Sequence, residues 1–395
     1  MKNLIDNLKK DVEIPEIVNQ KAEEAFRKIS TECEAENNIT NREKNLKDIR
    51  TRKKYHHKRI TVIAAAAVVI CAVTAMAAAL RWSHSLSDGM RASEEQMKYL
   101  DSSGMNKFVE KSCTDNGVTV TAVQSITDNY YTHLAFRVEG FELEEGKEPG
   151  FENLKITVDG DDGINLSASF WGDIVPDNEG NPVKIDGQPV GAYENYVLED
   201  GSMEYQITLF KGNNEKGYFF DKPIHVELEN LGTLAKAQYY PCLEGTWTFD
   251  WTLAGADTTE IYEPDFILGD TGATVEKIEV SPISIMVEYD FPRREIEEEY
   301  INENGVPGTV TMLAEPPAAM GVKLKDGTVI KYLYIGPGQV GYSEENGDTY
   351  ALLMAADRVI DVDEIESILF LKSFDETLNE HAEPEFYEVP ILNEK

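Results

Sequence analysis

The chain has 395 residues, of which 42% are hydrophobic, so it can bury the cores of two or three domains and is not a disordered acidic polymer. Its 37 Lys and Arg against 72 Asp and Glu give a formal net charge of −35. This charge excludes nucleic acid as a default partner, because phosphate binding needs clustered basic residues. The four cysteines are too few for a disulfide scaffold.

The charge is distributed unevenly along the chain. Residues 1–59 carry 15 Lys and Arg against 11 Asp and Glu, a net charge of +4. The remaining 336 residues carry 22 against 61, a net charge of −39. The chain is therefore predicted to have a short basic part and a long acidic part.

The first predicted element is an amphipathic helix. Pro15 is typical of a first helical turn, and Ile17, Val18, Phe26 and Ile29 share one face of the helix that follows. A segment this short cannot build a core of its own, so the apolar face needs a partner. The membrane surface, a second copy and another protein are all compatible with it.

A basic stretch precedes an uncharged one. Residues 42–59 carry nine basic residues against two acidic ones, and residues 60–80 read ITVIAAAAVVICAVTAMAAAL. Such a run spans roughly 32 Å as a helix, the thickness of a bilayer core. Because Lys and Arg mark the cytoplasmic side, we predict one transmembrane helix at 60–80, with residues 1–59 inside and residues 81–395 outside. The basic stretch is predicted to contact the lipid bilayer.

Two alternatives to this membrane span remain open. The small residues Ala75, Ala77 and Ala79 fit a signal-peptidase site, although the segment before the apolar run is long for a signal peptide. The run could also be a buried, alanine-rich helix of a soluble protein.

Beyond the predicted span, the pattern changes from helix to strand. Residues 81–104 are predicted to be a juxtamembrane linker with a short helix, since Ser93 to Gln96 form a capping box and the helix reaches about Leu100. Residues 105–257 are predicted to form a first β-sandwich domain, with a tight turn at Asn116-Gly117. Its predicted strands are 118–126, 132–138, 154–158, 164–170, 203–210, 224–228 and 246–253.

Residues 258–395 are predicted to form a second β-sandwich domain. Its predicted strands are 273–280, 283–289, a hairpin over 321–334 that turns at Asp326-Gly327, 367–371 and 386–392. Arg294 to Asn302 is interpreted as a charged helical or looped insertion. The predicted fold class is therefore a mainly β ectodomain of two Ig-like or related β-sandwich domains, with one transmembrane helix and a short helical cytoplasmic segment.

Few residues point to chemistry. No HExxH, GxSxG, Walker or dinucleotide-binding pattern is present, so we expect no enzyme activity, no catalytic residues and no cofactor. Asp159 to Gly163 is faintly similar to a calcium loop but lacks the glycine and glutamate that such a loop needs, so a solvated turn is favoured over a metal site. Cys113 and Cys242 are the only cysteines in the predicted outer part, and they are a candidate disulfide or two reduced thiols.

The order of the short cytoplasmic segment, the membrane span, the short helix and the first strand resembles that of single-pass bacterial proteins of domain-of-unknown-function family 4179. The similarity rests on Ser93–Gln96, Tyr99-Leu100 and Thr114–Val120, and it is clearest over residues 55–145. Residues 245–250 and 275–285 are similar to the second β domain that often follows. The resemblance implies an anti-sigma-factor-like regulator or envelope sensor, and it implies no catalytic residues.

Two functions of different classes are compatible with the sequence. In the first, an outer sensor with an unknown extracellular ligand is joined to an inner segment that binds a transcription factor, such as an extracytoplasmic-function sigma factor, through Ile17, Val18, Phe26 and Ile29. In the second, the protein is a structural or ligand-binding component of the cell envelope, and the inner segment serves only as an anchor.

Overall fold

The structure is a computed structural model of the chain. The structure describes residues 82–144, 146–174, 184–185, 188–189, 194–212, 214–235, 238–301, 307–333, 338–342, 347–372 and 384–391. The predicted cytoplasmic segment and the predicted span at 60–80 lie outside these residues. No helix within the described ranges is long and apolar enough to cross a membrane.

The described residues are mainly β, as predicted. Two α-helices, α1 (His84–Ser87) and α2 (Glu94–Ser103), precede the strands, and a 3-10 helix lies at Val362–Glu364. The strands in chain order are β1 (Asn106–Asp115), β2 (Val118–Thr127), β3 (Tyr131–Glu139), β4 (Glu148–Val158), β5 (Asn165–Phe170), β6 (Asp173–Ile174), β7 (Lys184–Ile185), β8 (Gln188–Pro189), β9 (Glu194–Asn195), β10 (Met203–Phe210), β11 (Pro223–Ala235), β12 (Gln238–Thr252), β13 (Glu260–Tyr262), β14 (Phe266–Ile267), β15 (Thr274–Val280), β16 (Ser284–Asp290), β17 (Glu295–Ile301), β18 (Pro307–Leu313), β19 (Ala319–Leu324), β20 (Val329–Ile330), β21 (Gln339–Tyr342), β22 (Thr349–Ala355), β23 (Ile365–Leu371) and β24 (Phe386–Pro390).

Two sheets enclose the first core. Sheet 1 has the order β1-β2-β3-β10-β5 and sheet 2 has the order β12-β11-β4, and all of these pairings are antiparallel. Their facing side chains form one apolar cluster, because alternate residues of each strand point to the same face. The strand predicted at 246–253 overlaps the end of β12, where Trp247, Phe249 and Trp251 alternate along the strand and are all buried. We call sheets 1 and 2 the first sheet pair.

A second pair of sheets encloses another core. Sheet 3 has the order β13-β15-β16-β22-β21, with β14 also paired to β15, and sheet 4 has the order β20-β19-β23-β24. Their facing residues form a separate apolar cluster, whose first and last members along the chain are Tyr262 and Ile391. The hairpin predicted at Asp326-Gly327 is confirmed, because β19 pairs with β20 and Gly327 has a φ of 89°. We call sheets 3 and 4 the second sheet pair.

The prediction of a helical or looped insertion at Arg294 to Asn302 is wrong. Residues Glu295–Ile301 form β17, which pairs antiparallel with β18. The run of glutamates favours a helix by intrinsic propensity. Pairing with the β-branched and apolar residues of β18 overrides that preference, because strand propensity depends strongly on cross-strand neighbours.

Two local predictions from the sequence are confirmed. Ser93 accepts a hydrogen bond from the backbone N–H of Gln96, and the Gln96 side chain accepts one from the backbone N–H of Ser93, so the capping box is complete. Asn116 and Gly117 have φ values of 46° and 85°, which lie in the left-handed region that a tight hairpin turn requires.

Candidate functional site

The most distinctive site is a junction where residues 82–105, here called the junction segment, lie between the two sheet pairs. Apolar residues of this segment, of the outer face of sheet 1 and of the outer face of sheet 3 form one buried cluster. Its members include Leu86 and Leu100 from the junction segment, Tyr131 from sheet 1, and Met286 and Leu353 from sheet 3. Sheet 1 is therefore covered on both faces.

A buried carboxylate holds the start of the junction segment. Glu204 lies on β10 and is only 4% exposed. Its two carboxylate oxygens accept hydrogen bonds from the backbone N–H groups of His84, at 3.0 Å, and Ser85, at 2.7 Å. These donors belong to the first turn of α1 and have no partner within that helix. The backbone N–H of Ser83 donates to the side chain of Gln124 at 2.8 Å, so three successive residues are fixed to sheet 1.

The same segment is also bonded to the second sheet pair. The backbone N–H of Val359 donates to the carbonyl of Met90 at 2.9 Å. The side chain of Gln96 donates to the carbonyl of Val359 at 3.0 Å. An ion pair joins Arg91 to Asp357 at 3.4 Å. The junction segment therefore links the two sheet pairs.

A second buried carboxylate joins the sheet pairs directly. Asp128 is fully buried in the loop between β2 and β3, and its Oδ1 accepts from the backbone N–H groups of Tyr130, at 2.8 Å, and Tyr131, at 2.7 Å. Its Oδ2 accepts from the hydroxyls of Ser281 and Ser284, the latter at 2.5 Å. Burial raises the pKa of Asp128, and these four hydrogen bonds oppose that shift because they favour the charged form.

A network of hydrogen bonds and ion pairs extends from the loop between β2 and β3 to Glu279. Glu279 on β15 is 2% exposed and accepts from the hydroxyl of Tyr130 at 2.9 Å. It also pairs with Lys216 at 3.2 Å and with Lys277 at 2.5 Å. Burial acts to raise the pKa of Glu279, but the hydrogen bonds from Lys277 and Tyr130 bring it below its ordinary value. Glu279 is therefore held charged at the junction.

His133 gives the junction a pH-dependent stability. It is buried on β3, its Nδ1 lies 3.0 Å from the hydroxyl of Thr208, and burial lowers its pKa to about 4. The pKa of an unfolded histidine is about 6.5, so the unfolded chain binds the proton more tightly. The contribution to stability is complete above pH 6.5 and is lost as the pH falls toward 4. We expect the free energy of unfolding to fall by up to about 3 kcal/mol through this group.

The measurement is chemical unfolding of the full chain from pH 7 to pH 4. Carboxylates titrate in the same range, so the comparison is with His133→Asn, which removes the imidazole. Between pH 7 and pH 4, the free energy of unfolding of the unmodified chain should fall by up to about 3 kcal/mol more than that of His133→Asn. Parallel profiles would contradict a buried, neutral His133.

Among the described residues, the candidate metal turn at Asp159 to Gly163 and the candidate disulfide pair, Cys113 and Cys242, are not part of this junction. Ile17, Val18, Phe26 and Ile29 lie outside the described residues, and their proposed contact stays a prediction. The turn at Asp159 to Gly163 is held by protein contacts, since Asp161 accepts from Lys211 and Tyr218, each at 2.6 Å. Among the described residues no group of three or more His, Cys, Asp or Glu is placed to hold a metal ion.

The candidate disulfide is not formed in the structure. Cys113 is a half-buried free thiol on β1, and Cys242 is an exposed free thiol on β12. The hydrogen bonds between these strands place Asp115 beside Thr246 and Asn116 beside Glu244. In that register the two cysteines are separated by several residues along the strands, at about 3.3 Å per residue, whereas a disulfide needs Cα atoms within about 7 Å.

The helix from Ser93 to Leu100 was predicted from the sequence, but the buried carboxylates of the junction were not. Asp128 and Ser281 stand between predicted strands, and Glu204 stands in a predicted strand. One signal was present: Glu204 is a charged residue in the strand 203–210, which is otherwise largely apolar. A carboxylate in such a strand indicates either an exposed face or a buried partner.

Comparison with known proteins shows that part of the chain is similar to one family. Residues 52–140 match the model of a family described as "Domain of unknown function (DUF4179)", which confirms the resemblance drawn from Ser93–Gln96 and Thr114–Val120. No curated protein matches the chain. A solved structure described as the conserved domain protein from Bacillus anthracis has 15% identity and a TM-score of 0.37, covering 68% of this chain and 79% of that one.

Proposed function

We propose that this is a non-enzymatic, single-pass membrane protein that senses conditions in the cell envelope and regulates a cytoplasmic transcription factor, such as an extracytoplasmic-function sigma factor. The observation that carries the proposal is the junction. The residues that follow the predicted span are bonded to both sheet pairs through Glu204 and through Val359. A ligand that changes the packing of the sheet pairs would therefore act on the segment that leads to the membrane.

The proposal includes the location and the finer fold. Residues 81–395 are proposed to lie outside the membrane, and each sheet pair is proposed to be an Ig-like or related β-sandwich domain. Two antiparallel sheets that share one apolar core support this assignment. The partners are then the lipid bilayer, a cytoplasmic sigma factor and an extracellular ligand.

The inner segment supplies the test of this function. Phe26, with Ile17, Val18 and Ile29, is proposed to bind the transcription factor, and a buried aromatic anchor commonly dominates such a contact. We expect Phe26→Ala to weaken capture of the factor by about tenfold or more. Lys28→Ala, on the same predicted helix, is the matched control and should have little effect.

The measurement is affinity purification of the tagged full chain from membranes after mild cross-linking, followed by identification of the captured proteins. Recovery of a sigma factor that depends on Phe26 is the expected result. Capture of no cytoplasmic protein above background, or equal capture by Phe26→Ala, would overturn the regulatory function. The alternative of an envelope structural or ligand-binding protein with an anchor-only segment would then be preferred.

A further inference from the structure

The β17–β18 hairpin has two chemically different faces. In the observed register, Ile296 pairs with Met312 and Tyr300 pairs with Gly308, so these residues share one face with Val310. The Tyr300 ring lies against Gly308, so closely that a Cβ added at Gly308 would stand only 2.8 Å from the ring carbons. Ile296, Tyr300, Val310 and Met312 are each between 37 and 50% exposed. This group is here called the apolar face of the hairpin.

The opposite face is acidic. Glu295, Glu297 and Glu299 alternate along β17, and all three are exposed. Their cross-strand partners are Leu313, Thr311 and Thr309, none of which carries a charge. Glu298 lies on the apolar face, opposite Val310, and adds a fourth carboxylate to the same strand.

The hairpin has a fixed base and an edge that pairs with no other strand of the described ranges. Its base is held by a hydrogen bond from the backbone N–H of Ala314 to the carbonyl of Arg294 at 2.9 Å, and the Arg294 guanidinium lies 5.1 Å from the centre of the Phe291 ring. Among the described residues β17 pairs only with β18. Alternate residues of β17 therefore direct their backbone N–H and C=O groups away from β18, where another strand can add.

We propose that the free edge of β17 binds an extended segment of a partner protein or peptide in which apolar and basic residues alternate. When the partner segment adds to β17 as a third strand, its apolar side chains extend the apolar face of the hairpin. Its basic side chains then lie beside Glu295, Glu297 and Glu299, as opposite charges do in favourable cross-strand pairs. The main-chain hydrogen bonds supply affinity and the alternating side chains supply specificity.

Charge decides between this partner and two others. If a second copy paired antiparallel through β17, its glutamates would stand beside those of the first copy, and like charges at neighbouring positions are destabilising. An anionic lipid surface would be repelled by the same carboxylates. A strand in which apolar and basic residues alternate places apolar side chains beside the apolar face of the hairpin and basic side chains beside its glutamates.

The inference deepens the proposed function by naming a class of outer ligand, and it rests on that proposal only for the location of the hairpin outside the membrane. Peptide binding and sigma-factor capture are separate measurements. Either can fail while the other stands.

The test uses the full chain in maltoside micelles and a fluorescent peptide in which valine and lysine alternate, followed by fluorescence anisotropy. We expect saturable binding, with affinity reduced by about tenfold or more in the double variant Glu297→Lys/Glu299→Lys. The matched control is Glu142→Lys/Glu144→Lys, which makes the same charge change at exposed residues with the same spacing. Binding to the control should equal binding to the unmodified chain.

Three further peptides complete the design. Alternating serine and lysine tests charge alone, alternating valine and serine tests the apolar face alone, and a proline at the centre of the valine–lysine peptide removes a main-chain donor. We expect each of them to bind much more weakly than the valine–lysine peptide. Equal binding of the valine–lysine and serine–lysine peptides would overturn the proposal, as would equal affinity of the Glu297→Lys/Glu299→Lys variant. A dimer in which β17 is protected from added peptide would also overturn it, in favour of a second copy.

Discussion

Replacing Asp128 with alanine should lower the free energy of unfolding by about 3–5 kcal/mol, because each buried polar group left without a partner costs about 1–3 kcal/mol. The substitution leaves the backbone N–H groups of Tyr130 and Tyr131 without their acceptor. The hydroxyls of Ser281 and Ser284 lose the same carboxylate, although they can still bond to each other across 3.1 Å. The measurement is urea unfolding of the full chain in micelles.

Asp128→Asn is the matched control for this experiment. Its amide oxygen can accept from the two backbone N–H groups, and its amide nitrogen can donate to a serine hydroxyl, so the loss should be below about 1.5 kcal/mol. Equal losses in the two variants would mean that the hydrogen bonds of Asp128 do not stabilise the junction. A small loss of unfolding free energy in both variants would also show that Asp128 does not hold the two sheet pairs together.

The second large effect is expected at Trp247 in the first core. Trp247 is fully buried, its Nε1 donates to the carbonyl of Val118 at 3.0 Å, and its ring centre lies 5.7 Å from that of Phe151. Trp247→Ala removes this contact area and leaves a cavity, so the free energy of unfolding should fall by about 3–5 kcal/mol. Circular dichroism of the strand signal during urea unfolding measures the change.

Tyr240→Ala is the control on the same strand. Its side chain is 45% exposed, so the substitution should change the free energy of unfolding by less than about 0.5 kcal/mol. If Trp247→Ala were as mild as Tyr240→Ala, the buried position of Trp247 between sheets 1 and 2 would be wrong.

Strands with a strong alternating pattern could be predicted from the sequence. Met203–Phe210 is observed with the predicted bounds, and the alternation after Gly245 places Trp247, Phe249 and Trp251 in the core. In both segments, apolar residues recur at alternate positions and turn residues stand close by, so the local sequence is sufficient.

Other strands depend on partners that are distant in sequence. Asn106–Asp115 is a polar segment that becomes β1 because the turn at Asn116-Gly117 folds it against β2. Thr349–Ala355 is not among the predicted strands, but it pairs between β16 and β21. By intrinsic propensity, Ala351 to Met354 also suit a helix. Tertiary context decides such segments.

The junction depends even more on distant contacts. Asp128 and Ser281 are separated by 153 positions, and Gln96 and Val359 are separated by 263. Neither pair leaves a local signal, because an aspartate in a turn and a serine before a proline are common in loops. The predicted domain boundaries at 105, 257 and 258 stay predictions.

The measurement that most directly tests the account is the side of the membrane on which two cysteines lie. One variant keeps only Cys33, in the predicted inner segment, and another keeps only Cys242, which is exposed on β12. Intact cells are treated with a membrane-impermeant maleimide, and the full-length size of each chain is checked. We expect Cys242 to be labelled on intact cells, whereas Cys33 should be labelled only after the membrane is permeabilised. Labelling of Cys33 on intact cells, or protection of Cys242 until permeabilisation, would contradict this expectation.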